Sequence, residues 1–92
     1  MENCDPLEVF ISSIRDDPRI GATHISVYLA LYLLYQKENV NNPFRITRAS
    51  VMTLAKIAGI ATYHKCMGDL VEGNYIRYQP SYNPAVGSRV WL

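Results

Sequence analysis

Residues Ile25 to Tyr35 limit the fold more than any other segment. Among these eleven positions only Ser26 is not apolar. The run is well short of the roughly 20 apolar residues needed to cross a bilayer, so no membrane span is expected. A surface helix shows one apolar stripe, whereas a helix over this segment is apolar nearly all round. Such a helix must lie at the centre of its domain or share a face with a second subunit. A chain of 92 residues suits a single domain. A domain of that size buries only about 60–65% of its unfolded surface, which makes complete wrapping of one helix difficult. A homodimer is therefore expected, with Leu7, Phe10, Ile11 and Ile14 of a preceding helix and Tyr28, Leu31, Tyr32 and Tyr35 at its contact. Full burial of the same face within one chain is the alternative.

The remaining elements follow from punctuation and periodicity. Asp5-Pro6-Leu7-Glu8 reads as a helix start, with Asp5 as cap, Pro6 at the first helical position and Glu8 three residues after the cap. Leu7, Phe10, Ile11 and Ile14 recur at helical spacing, which predicts a helix over 5–15. Pro18 ends it, because the residue before proline avoids the helical region. Thr23 is the expected cap of a helix over 23–38. Phe44-Arg45-Ile46 reads as a short strand. Thr47 then caps a helix over 48–58, whose apolar face is Val51, Leu54, Ala55 and Ala58 and which stops at Gly59. A helix over 61–73 follows, and Asn74 suits a left-handed turn after it. Residues 75–92 read as a hairpin: Tyr75 to Gln79 alternates, Ser81 to Ser88 is rich in Ser, Asn, Pro and Gly, and Arg89 to Leu92 returns. Helix, helix, strand, helix, helix, hairpin is the order of a winged helix-turn-helix, mainly α with a small β-hairpin, in one domain over 1–92.

The pair of helices around Gly59 carries the functional signal. A helix-turn-helix needs a small residue where its helices cross, met by Ala55, and a turn residue a few positions on, met by Gly59. On a helical wheel centred on Leu70, the side chains of Tyr63, Cys66 and Met67 lie within about 60° of it and form an inner face. Ala61, His64, Lys65, Gly68 and Glu72 lie opposite, with Thr62 and Asp69 at the edge. Thr62, His64 and Lys65 can reach phosphates or base edges, and Ala61 is small where a helix must lie close. Arg48 and Ser50 stand at the N-terminus of the preceding helix, where free N–H groups favour a phosphate. Thr47 and Ser50 also suit ordinary capping, and the two roles are compatible. In the wing, Asn83 and Ser88 can bond phosphates, Tyr82 can pack on sugars or against the hairpin, and Arg77 and Arg89 flank it and can add attraction. Gly68 is costly inside a helix, by roughly 1 kcal/mol against alanine. Close approach of backbone to DNA would explain it, and so would tolerance of a surface glycine.

Charge is unevenly placed. Residues 1–38 carry six acids and three bases, and residues 39–92 carry two acids and six bases, within a net charge of +1. The basic half contains the helix-turn-helix. Leu54-Ala55, Gly59, Thr62 and the run Leu70 to Ile76 resemble winged helix DNA-binding proteins generally, with Asn74 where that family usually has glycine. The turn from Gly59 to Tyr63 is about two residues shorter than in the commonest pattern. His24-Ile25-Ser26-Val27-Tyr28, Asn42-Pro43-Phe44, Ala61-Thr62-Tyr63-His64-Lys65-Cys66 and Ser81-Tyr82-Asn83-Pro84 with Gly87-Ser88 resemble small single-domain winged helix proteins of Bacteroides-type bacteria, described as transcriptional regulators. That resemblance covers nearly the whole chain. It implies a bacterial cytoplasmic protein that binds double-stranded DNA in transcription regulation or as an accessory to mobile elements.

Other classes fit less well. His64 and Cys66 are two apart and point about 160° away from each other on a helix, so they do not make a nucleophile–base pair. The two cysteines and two histidines lack zinc-finger spacing. No glycine-rich phosphate loop is present. An enzyme, a metal site, a cofactor and a small-molecule ligand are not expected. Met1 to Asp5 is acidic and polar rather than signal-like, and Cys4 and Cys66 read as free thiols. The competing reading is a winged helix that contacts another protein without binding DNA, since fold alone does not decide function.

Overall fold

The computed structural model describes residues 5–81, 83 and 85–92. Helix α1 spans Pro6–Ser13 and runs into a 3₁₀ turn at Ile14–Asp16. Pro6 occupies its first turn as expected, but the Asp5 side chain makes no capping bond. That carboxylate instead accepts the Tyr32 hydroxyl at 2.7 Å, tying α1 to the central helix.

Helix α2, Ala22–Lys37, begins one residue before the expected span. Its cap is Gly21 rather than Thr23. The Gly21 N–H is held by His24 Nδ1 at 3.1 Å, so an imidazole three residues on closes the first turn. Val27, Tyr28, Ala30, Leu31 and Tyr35 are all buried. This corrects the expected dimer contact. Phe10, Tyr28, Leu31 and Tyr35 are covered within the chain, and Leu7, Ile14 and Tyr32 are half-buried against the same core. Of the expected contact residues only Ile11 is exposed, at 46%. The wrapping succeeds because α1 lays Phe10 flat on Tyr28, ring centroids 3.8 Å apart, and α3, α4 and β1 take the other sides.

Strand β1, Phe44–Ile46, leads to α3, Arg48–Ala55. Thr47 caps α3 as read from sequence, its hydroxyl accepting the Ser50 N–H at 3.1 Å. The helix stops three residues short of the expected end. Lys56 turns left-handed at φ 63°, and the Ile57 N–H closes back on the Met52 carbonyl at 2.9 Å. Ala58 is therefore in the turn and exposed, and Leu54 is also exposed. The Ser26 hydroxyl of α2 donates to the Ala55 carbonyl left free at that end.

Helix α4, Ile60–Glu72, buries Tyr63, Cys66, Met67 and Leu70, the face given by the helical wheel. Burial pushes the Cys66 thiol up, away from thiolate chemistry. Asn74 is left-handed at φ 63°, as expected.

Strands β2, Arg77–Gln79, and β3, Ser88–Trp91, complete a three-stranded antiparallel sheet in the order β1-β3-β2. β2 is shorter than the expected 75–79, because Tyr75 and Ile76 close the end of α4 through the Leu70 carbonyl. In the register Phe44 and Tyr78 both oppose Val90, and these residues with Ile46 face the helices. Gly87 is required at the base of the hairpin. Its φ is +77°, and a Cβ there would lie 3.0 Å from the Ile46 carbonyl oxygen of β1. Among the described residues no helix is long and apolar enough to cross a membrane.

Candidate functional site

The two ends of α4 differ in how their outer surface is bonded. At the C-terminal end both acids have partners. Asp69 Oδ2 accepts His24 Nε2 at 2.7 Å and Lys65 Nζ at 3.0 Å. Because His24 Nδ1 already accepts the Gly21 N–H, the neutral ring carries its hydrogen on Nε2, facing Asp69. The hydrogen bond from His24, then that from Lys65, holds the Asp69 carboxyl below the usual carboxylate range. Glu72 lies 3.6 Å from Arg19. Arg19 also pairs with Asp17 at 3.2 Å, and the Tyr75 hydroxyl donates to Asp17 at 2.7 Å. Arg19 and Tyr75 together hold Asp17 well below its ordinary value. Gly73 is needed here, because a Cβ would overlap the Tyr75 ring.

The N-terminal end carries no such bonds. Gly59 provides no side-chain cap, and Ala61, Thr62 and His64 are exposed. Beside this end lies a cleft of about 570 Å³ between the start of α3, the first turns of α4 and the hairpin loop. Arg48, His64, Asn83 and Ser88 all line it, so four of the expected binding residues from three separate segments converge. Among the described residues Arg48 has no carboxylate within 4.0 Å; the carboxylates that are paired have Arg19, His24 and Lys65 as partners. Tyr63 closes the floor of the cleft, and burial pushes its hydroxyl pKa up.

Several expected residues have other work or another place. Ser50 is half-buried and its N–H is taken by Thr47. Lys65 is exposed but leans back one turn to Asp69. The Asn83 side-chain oxygen accepts the Ala85 N–H at 3.0 Å, and the Ser88 hydroxyl accepts the Ser81 N–H at 3.1 Å. Both therefore shape the loop, leaving the Asn83 amide and the Ser88 hydroxyl hydrogen to donate outward. Tyr82 lies outside the described residues. Arg89 does not join the cleft. It stands on the outer face of the sheet, opposite in direction to buried Val90, with Arg45 and Gln79 as its register partners.

Sequence reasoning missed His24, Asp17, Arg19 and Arg45. The first three act through partners 45 to 58 positions away in the chain or through such a partner's neighbour, and no local spacing marks them. Arg45 had a signal, since it stands between two apolar strand residues and must point away from them. Among the described residues no group of three or more His, Cys, Asp or Glu is placed to hold a metal ion.

Comparison with protein-family models, with curated proteins and with solved structures gives no match.

Proposed function

We propose that this chain is a winged helix-turn-helix protein that binds double-stranded DNA, presenting the N-terminal half of α4 to the major groove. The order of elements and the strand order β1-β3-β2 support the winged arrangement. One observation carries the functional reading: Arg48, His64, Asn83 and Ser88 line one cleft at the unbonded end of α4, while the acids of that helix are bound at its far end. In this reading Ala61, Thr62 and His64 meet base edges, Arg48 takes a phosphate, and Asn83 and Ser88 meet the backbone. Such binding would suit a transcriptional regulator or a mobile-element accessory protein. With Phe10, Tyr28, Leu31 and Tyr35 covered within the chain, the reading does not depend on a second copy.

The test is fluorescence anisotropy with a mixed-sequence duplex from about 50 to 200 mM salt, where phosphate contacts weaken affinity steeply. Binding that falls with salt, and that weakens at least about tenfold in Arg48→Ala with His64→Ala, is the expected result, since such contacts are worth roughly 1–3 kcal/mol each. Absence of binding at low salt would leave the protein-contact reading in its place.

A further inference from the structure

The sheet has an outer face that the cleft does not use. Strand alternation sends Arg45 and Arg89 away from the core, and the register sets them directly opposite each other on β1 and β3. Gln79 of β2 continues the row on the other side of Arg89. In the adjoining row Arg77 opposes Trp91, with its guanidinium 4.7 Å from the indole centroid. The face therefore presents three guanidinium groups, and among the described residues none has a carboxylate within 4.0 Å.

That composition is unfavourable in an isolated sheet. Like charges directly opposite each other on neighbouring strands destabilise the pair. An anion lying between Arg45 and Arg89 removes the repulsion and gains the forked hydrogen bonding that guanidinium offers to phosphate. The stack of Arg77 on Trp91 holds the third charge in a fixed place. Beside Arg89 lies a shallow depression of about 240 Å³, bordered by Gln79, Ser81 and Gly87, that adds polar groups at the rim. The surface offers rows of charge and no deep pocket, which suits an extended polyanion better than a small one.

We propose that the outer sheet face, through Arg45, Arg77 and Arg89, binds the phosphate backbone of a second nucleic-acid duplex, so that one chain can bridge two duplexes. The inference goes beyond the cleft but rests on the proposed function for the first duplex, which the cleft holds. The row and the cleft lie on opposite sides of the sheet, so one straight duplex does not fill both.

The experiment mixes donor-labelled and acceptor-labelled duplexes with the intact protein and reads energy transfer between them, alongside anisotropy salt titrations. Wild type is expected to bridge. Arg45→Gln with Arg89→Gln is expected to abolish bridging, keep cleft binding, and lower the salt slope by about 0.9 per arginine removed. Its melting temperature should not fall, because a like-charge pair has been relieved. Wild-type bridging and slope in that variant, or a wild type that binds without bridging, would overturn the inference. Arg48→Ala with His64→Ala should also abolish bridging while retaining binding through the sheet. If that variant behaves as wild type, the cleft reading fails and the sheet face stands. No binding by wild type at low salt removes both. Polyglutamate that binds as tightly as duplex, and is lost with Arg45→Gln and Arg89→Gln, would assign the face to an acidic protein instead.

Discussion

The two ends of α4 make opposite use of similar exposure. At the far end, Asp69 and Glu72 are joined to His24, Lys65 and Arg19, and Tyr75 and Asp17 complete a chain of bonds from the helix to the loop before α2. At the near end Ala61 and Thr62 are exposed, and His64 lines a cleft whose cation, Arg48, has no carboxylate partner among the described residues. The difference teaches how a chain of net charge +1 can present a basic surface. The two acids of α4 are paired within the fold, and Arg45, Arg48, Arg77 and Arg89 have no carboxylate within 4.0 Å among the described residues. In the proposed reading the bonded end serves stability and the open end binding. Substitutions at the two ends should therefore separate the two properties.

The largest effect is expected at the bonded end. Gly73→Ala places a methyl group on the Tyr75 ring, which must move and release Asp17. A loss of about 2–3 kcal/mol in urea unfolding is expected, in the range of overpacked sites. DNA affinity, measured below the unfolding midpoint, should change little. A comparable fall in affinity would mean that the two ends are not independent.

Gly68→Ala sharpens the comparison at its boundary. A Cβ at this position meets nothing within 4 Å, so packing in the free protein gives no reason for glycine. The variant should be more stable by roughly 0.5–1 kcal/mol, the helix cost of glycine relative to alanine. If α4 lies close against DNA, the same methyl group weakens binding. Stability gained with affinity unchanged would place the contact nearer to Ala61 than Gly68.

The smallest effect is one of pH. Asp17 and Asp69 both have carboxyl pKa values lowered by their partners, Arg19 first for Asp17 and His24 first for Asp69. A lowered folded pKa means that the fold favours the ionised form. The stabilisation is complete above the unfolded value of about 3.9 and is lost as pH falls below it towards the lowered folded values. Asp17→Asn should be less stable than wild type at neutral pH, and the gap should close on acidification. A gap independent of pH would show that the Asp17 carboxylate is not what joins the loop to Tyr75.

Much of α4 was legible in the sequence because a helix repeats every 3.6 residues, and one wheel separates Tyr63, Cys66, Met67 and Leu70 from the outer residues. Thr47 and Asn74 were legible for the same local reason, since capping and left-handed turns depend on residues a few positions apart. The face of α2 was misread. Apolarity all round shows that a helix must be covered but not by what, and the cover turned out to be Phe10 stacked on Tyr28 together with α3, α4 and β1. Gly21 displaced Thr23 as cap, and His24, the third residue of the helix, accepts the Gly21 N–H as the reciprocal partner of a capping box does. Arg89 was assigned to the wing by its position in the chain. The register, which local pattern does not give, puts it on the outer face beside Arg45.

The strand order has a consequence for how the molecule is made. β3 lies between β1 and β2, and those two do not touch each other. Residues 44–46 and 77–79 therefore emerge from synthesis with no ladder to join until 88–91 have followed. The helices can already pack by contacts nearer in sequence, which form sooner because less chain must be closed into a loop. By the same rule the β2–β3 hairpin closes before β3 pairs with distant β1, and that last pairing brings Arg89 opposite Arg45.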